Sequence, residues 1–117
     1  MNTISLSEDT DELIARAQAI ATVLAEKRDE LGISTDVEAL LRASIAAATY
    51  AINGYLALTA AAKKSGIPMG YLSEAKARCN RKIQLLRRRV IRAVAELSRL
   101  MDKNEARKAA RYISTSA

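Results

Sequence analysis

Residues 79–100, CNRKIQLLRRRVIRAVAELSRL, place apolar residues at alternating steps of four and three. These are the a and d positions of a coiled coil, which form one continuous apolar seam along a helix. The seam consists of Cys79, Ile83, Leu86, Val90, Ala93, Leu97 and Leu100. The stretch therefore predicts a long helix that packs against other helices along one side.

The opposite side of the same helix is strongly basic. On a helical wheel of about 100° per residue, Glu96 is the only acid within an arc of about 120° opposite the seam. The cations of this arc are Arg78, Arg81, Lys82, Arg88, Arg89, Arg92, Arg99 and Lys103, and Arg87 lies outside it. At about 1.5 Å per residue, this basic stripe is about 37 Å long, enough to follow several phosphates.

A first helix is predicted near the N-terminus. Ser7 precedes an acidic turn, and apolar residues then recur at helical spacing from Leu13 to Leu24. Gly32 follows Leu31 and is expected to end the helix. The acidic, weakly apolar N-terminus also lacks the features of a secretory signal.

A second helix is predicted to begin at a capping box formed by Thr35 and Glu38 and to end near Lys64, with Gly66 beyond it. The third helix is expected to start between Pro68 and Ser73 and to reach about Met101. A further capping box over residues 102–105 predicts either a short fourth helix or a continuation of the third.

The second helix contains residues 43–62, ASIAAATYAINGYLALTAAA, a run without charge. About 20 apolar residues can cross a bilayer, but this run is rich in alanine and polar side chains, so we expect no membrane span. It has two apolar faces and is therefore predicted to be a central helix, buried on several sides. One face is a ridge of small residues, which consists of Ala43, Ala47, Ala51 and Gly54. The other face consists of Ile45, Ala48, Ile52 and Leu56. Asn53 is interpreted as a buried, register-setting polar group or as part of a small pocket.

The composition favours self-association. The chain has 117 residues, of which half are hydrophobic, but it has no Phe or Trp. A domain of this size buries only about two-thirds of its unfolded surface, and alanine gains little on burial. We therefore expect a homodimer in which the small-residue ridge meets its own copy across a twofold axis. The seam of the third helix is the alternative contact.

Most catalytic chemistry is absent from the sequence. There is no His, so Ser-His and Cys-His nucleophiles and most zinc or haem sites are excluded. The single Cys79 lies on the apolar seam and is interpreted as a core residue. No glycine-rich phosphate loop occurs. The sequence predicts no enzyme, no cofactor and no metal site.

The charge is divided unevenly along the chain. Residues 1–62 hold 4 basic and 9 acidic groups, whereas residues 63–117 hold 15 basic and 4 acidic groups. A parallel arrangement of the first and third helices would place residues 8–12 near Lys76 and Arg78, which leaves the central triplet Arg87, Arg88 and Arg89 unmatched. Three interpretations of this triplet remain: a solvated face, contact with an acidic partner or a second copy, and contact with nucleic acid phosphates.

Together these features predict an all-α protein, an antiparallel up-down-up bundle of three long helices. We expect one cytoplasmic domain over residues 1–113, with a disordered tail at 114–117. The predicted function is a non-enzymatic interaction or scaffold module that self-associates. The alternative is an accessory nucleic-acid-binding protein that contacts the phosphate backbone through Arg78, Arg81, Lys82, Arg87, Arg88, Arg89, Arg92 and Arg99.

Overall fold

The computed structural model describes residues 8–116 and consists of three long helices. They are α1 (Glu8–Leu31), α2 (Asp36–Ser65) and α3 (Ser73–Ser116), and a 3₁₀ turn, Met69–Leu72, joins α2 to α3. Each helix packs against both of the others, and no strand occurs among the described residues. The predicted all-α bundle is confirmed.

Local signals fix the ends of the helices. The Thr35 hydroxyl accepts a hydrogen bond from the Val37 N–H at 3.2 Å, as an N-cap should. Gly66 ends α2 in the left-handed region (φ 71°), and the following N–H, of Ile67, donates to the Ala62 carbonyl at 2.9 Å. Gly32 ends α1 in the same conformation (φ 65°). Ser7, expected to open the first helix, lies outside the described residues.

The C-terminal segment does not form a separate fourth helix. α3 runs without a break over 44 residues, so the second of the two sequence interpretations is confirmed. Leu100 is the last buried residue among those whose burial is described, and residues 101–103 and 105–111 are exposed. The helix also includes 114–116, three of the four residues that we expected in a tail. Residues 101–103 and 105–111 thus extend past the buried core, although the Arg107 guanidinium donates a hydrogen bond to the Leu31 carbonyl of α1 at 3.4 Å.

The core lies where all three helices meet. Six of the seven predicted seam residues are buried, and Leu97 is partly buried against the core, so the seam is confirmed. Four leucines are fully buried at this junction, surrounded by small residues. They are Leu24, Leu41, Leu86 and Leu100, with Ala17, Ala21, Ala48 and Ala93 between them. Small residues let the helices approach one another closely, at the cost of less apolar surface buried per residue.

The prediction that α2 is buried on several sides is wrong. Its Leu41, Ile45 and Ala48 are buried, but only 17% of its most apolar stretch is buried inside the bundle. Asn53 is exposed, so it is not a buried register-setting group. By length and composition alone, α2 is the one described helix that is long and apolar enough to cross a membrane.

α1 accompanies only part of the α2–α3 pair. Asp9 and Glu12, in its first described turns, lie with Arg87 around a shallow surface depression. Lys76 and Arg78, which we expected beside these acids, precede Arg87 by two to three turns of α3. The expected register is therefore wrong, and Arg87 is a neighbour of α1. The beginning of α3 and the end of α2 extend past the described part of α1.

Candidate functional site

An open apolar groove lies between α2 and the beginning of α3. Its volume is about 600 Å³, within the range of ligand-binding clefts. Small and aromatic side chains form most of it, and two cations lie on its α3 side. The lining residues are Ala46, Ala47, Tyr50, Ala51, Gly54, Tyr55, Leu58, Ala75, Arg78 and Lys82. We refer to this surface as the groove.

The groove contains most of the predicted self-association ridge. Ala47, Ala51 and Gly54 line it, whereas Ala43 is exposed outside it. Ala47 and Ala51 are partly buried, and Gly54 is exposed. These positions recur every three or four residues, so they share one face of α2, away from the buried Leu41 and Ile45. The structure thus brings the ridge together on a surface that the described part of the chain leaves open.

Gly54 has no steric role within the monomer. A Cβ atom added to it would meet nothing within 4 Å, and its backbone is ordinary helix. Glycine inside a helix is less stable than alanine by about 0.5–1 kcal/mol. The isolated chain therefore gains nothing from a glycine at this position.

The cations along the basic side of α3 border two different surfaces. Arg78 and Lys82 border the groove, whereas Arg88, Arg89 and Arg92 surround a shallow depression with Leu85 further along the same side of the helix. Arg81 is exposed between these groups. None of these six cations forms an ion pair with a described residue.

Arg87 and Arg99 differ from the remaining cations. Arg87 lies beside the first turns of α1, and Arg99 pairs with Glu96 on its own helix at 2.7 Å. Arg99 lowers the pKa of the Glu96 carboxyl below its ordinary value, because the guanidinium stabilises the charged form. The Thr35 hydroxyl also donates to Glu96 at 3.4 Å, which links the start of α2 to α3.

Cys79 is poorly suited to act as a nucleophile. Its side chain is fully buried in the seam, and burial raises the pKa of the thiol. The thiolate, which is the reactive form, is therefore disfavoured. The described residues contain no group of three or more side chains that could hold a metal ion.

A buried ion pair was missed by sequence reasoning. The carboxylate of Glu38 is buried, accepts from Arg28 of α1, and pairs with Arg42 of its own helix at 2.8 Å. The sequence spacing of Glu38 and Arg42, one turn apart, could have indicated the second contact. The first depends on how α1 packs on α2 and left no local signal.

A second missed feature is the apolar turn between α2 and α3. Ile67, Met69 and Tyr71 are all exposed, although each is large and apolar. The glycines and the proline beside them predicted a turn, but a turn by itself does not indicate which side chains face solvent.

No protein-family model matches this chain, and neither a curated protein nor a solved structure is significantly similar to it.

Proposed function

We propose that the protein is a non-enzymatic helical interaction module that forms a homodimer through the groove. The observation that carries this proposal is the open apolar groove itself, with Ala47, Ala51 and Gly54 in its wall. Contiguous apolar surface of this kind is typical of protein interfaces. In the dimer, each ridge meets its own copy across a twofold axis, so a single surface is sufficient.

The alternative dimer contact, through the seams of two α3 helices, is disfavoured by the fold. The seam residues from Leu86 to Leu100 already pack against α1 and α2 within one chain. A seam-to-seam dimer would have to break this core. The groove can bind a second copy without any change in the bundle.

Small residues suit the groove for a helix-helix contact. Alanine and glycine at successive turns let two helix backbones approach closely, so that the larger side chains at the edges, Tyr50 and Leu58, can reach the partner. In the monomer Gly54 lowers helix stability without any steric benefit. A close helix-helix contact at Gly54 would supply that benefit.

Analytical ultracentrifugation tests the proposal. We expect the wild-type chain, of 12.7 kDa, to sediment with twice that mass at micromolar concentrations. Ala51→Glu should sediment as a monomer, because it places a charge in the dimer contact. Ala60→Glu is the matched control, since Ala60 is exposed on α2 outside the groove, and it should remain dimeric. A wild-type monomer across this range would contradict the proposal.

A second candidate function is binding to nucleic acid phosphates. The observation in its favour is that Arg88, Arg89 and Arg92 share one surface and have no ion-pair partner among the described residues. Such contacts release counterions, so the affinity would fall steeply with salt. No aromatic residue lies between Tyr71 and Tyr112, so α3 offers no base stacking over that span.

Fluorescence anisotropy with a labelled duplex tests this second function. Joint substitution of Arg88, Arg89 and Arg92 by Gln should weaken binding at low salt and flatten its salt dependence. Arg87→Gln is the comparison, because Arg87 lies beside the acidic turns of α1 and should contribute less. Absence of binding by the wild-type chain at low salt would remove this function.

A further inference from the structure

The turn that joins α2 to α3 forms one end of the bundle and exposes large apolar side chains. Tyr71 is 78% exposed, Ile67 47% and Met69 44%. We call residues 66–72 the hairpin tip. It differs from the groove, since none of its residues lines that surface.

The conformation of the hairpin tip explains this exposure. Gly66 reverses the chain in the left-handed region, and the 3₁₀ turn Met69–Leu72 leads directly into α3. Leu72 is buried between the two helices and anchors the turn. With Leu72 held inside, Ile67, Met69 and Tyr71 remain outside. The exposed side chains are therefore carried by an ordered, anchored turn.

The surroundings of the hairpin tip are basic. Lys63 and Lys64, in the last turn of α2, are both exposed. Over residues 50–82 the sequence has six basic residues and one acidic residue, Glu74. Both helices that meet at the apolar tip therefore carry positively charged residues close to it.

The turn between α1 and α2 shows the opposite character. Its one large apolar residue, Ile33, packs against the core. Asp29, Glu30 and Asp36 flank it and are exposed. Apolar exposure combined with positive charge is thus a property of the hairpin tip and not of turns in this protein generally.

We propose that the hairpin tip binds the surface of an anionic lipid bilayer. Ile67 and Met69 would enter the boundary between headgroups and acyl chains, and Tyr71 would lie at the headgroup level, where amphipathic rings are favoured. Lys63 and Lys64 would remain among the anionic headgroups. A protruding turn suits a bilayer, which yields around it, better than a rigid protein surface, which needs a matching cavity.

The absence of Trp from the chain allows a direct test with a single fluorescent reporter. In Tyr71→Trp the emission should shift to shorter wavelength when vesicles of mixed phosphatidylserine and phosphatidylcholine are added, and not with phosphatidylcholine alone. Ile91→Trp is the control, because Ile91 is 70% exposed on α3 among arginines but lies on the side of the bundle. Its emission should not change.

Sedimentation with the same vesicles measures how much the exposed apolar side chains and the two lysines each contribute to membrane binding. Joint substitution of Ile67 and Met69 by Ser should weaken binding at least about ten-fold, whereas the same change at Ile91 and Met101, also exposed, should not. Substitution of Lys63 and Lys64 by Gln should weaken it by about five-fold per lysine. The same change at Lys103 and Lys108, in the C-terminal turns of α3, is the charge-matched control and should have a smaller effect.

Three results would overturn the proposal. They are no binding to anionic vesicles at low salt, an equal emission shift in the Ile91→Trp variant, and a concentration-dependent shift of Tyr71→Trp without vesicles. The second would mean that the basic side of α3 contacts the membrane, and the third that the tip contacts protein. Ala51→Glu, the expected monomer, should bind vesicles through the tip as well, so failure of the dimer and failure of membrane binding are distinguishable.

Discussion

The α2–α3 pair has one part that α1 covers and one part that extends past the described start of α1, and the two parts differ in how much of their apolar surface is buried. Where α1 lies alongside, the pair buries Leu41, Ile45, Leu86 and Val90 in a continuous core. Beyond the described start of α1, only Ala62, Leu72, Cys79 and Ile83 are buried. Two helices can bury only the residues along their line of contact, and a third helix is needed to cover a second face. The apolar residues of the two-helix part therefore remain available for a partner or a membrane.

The largest expected effect is a difference in core stability between the two parts. Leu86→Ala should lower the free energy of unfolding by about 3–5 kcal/mol, because Leu86 is fully enclosed by three helices. The same change at Leu72, buried at the edge of two helices, should cost about 2 kcal/mol, since the site can relax. Urea unfolding followed by circular dichroism measures both. Equal losses would mean that the two-helix part is as tightly packed as the rest.

The next effect concerns the attachment of α1 to α2. Glu38→Ala should lower the free energy of unfolding by about 1–3 kcal/mol, because it removes a buried carboxylate that binds Arg28 and Arg42. Arg42→Ala should cost less than about 1 kcal/mol, since the Arg42 side chain is half exposed. Urea titration of both variants checks this. A larger loss for Arg42→Ala would contradict the importance assigned to the contact between α1 and α2.

A smaller effect is expected at the uncovered ridge. In the Ala51→Glu background, expected to be monomeric, Gly54→Ala should raise the free energy of unfolding by about 0.5–1 kcal/mol, because no neighbour restricts the new methyl group. In the wild-type background the same change should weaken the dimer, which sedimentation equilibrium would detect. Stabilisation in both backgrounds would place Gly54 outside the dimer contact.

The smallest effect is the pH dependence of Glu96, in the three-helix part. Its pKa is lowered in the folded state by Arg99, so the ionised carboxylate stabilises the fold. Glu96→Gln should be less stable at neutral pH by no more than about 1 kcal/mol. This difference should shrink as the pH falls below the ordinary Glu pKa, and it should disappear once the pH is below the lowered pKa of Glu96, where the wild-type carboxyl is protonated as well. Acid titration of both proteins, followed by circular dichroism, measures this, and a constant Glu96→Gln difference across the pH range would exclude the mechanism.

Sequence reasoning succeeded where a property depends on neighbours along the chain. The positions of Gly32 and Gly66 predicted both helix ends, because left-handed backbone is a local requirement. The heptad spacing predicted which side of α3 is buried. It failed for the exposure of Asn53 and for the neighbours of Arg87, since both depend on where α1 lies along the other two helices.

The residues that form the candidate surfaces could be predicted from the sequence, but their arrangement in space could not. The small-residue ridge was visible in the spacing of Ala47, Ala51 and Gly54, but whether α1 or solvent covers it depends on packing. The cations of α3 were all visible, yet their division between the groove and the depression around Leu85 depends on the positions of the neighbouring helices.

The sequence by itself determined the three helices, the ends marked by Gly32, Thr35 and Gly66, and the apolar seam, because hydrogen bonds within a helix and its periodicity of about 3.6 residues connect only near neighbours. The tertiary structure alone decided which apolar face of α2 is buried, that Glu38 binds Arg28, and that Ile67, Met69 and Tyr71 face outward. These outcomes follow from the placement of α1 over one part of the α2–α3 pair. Such a choice between two apolar faces depends on contacts between residues distant in sequence, for which a single chain carries no local signal.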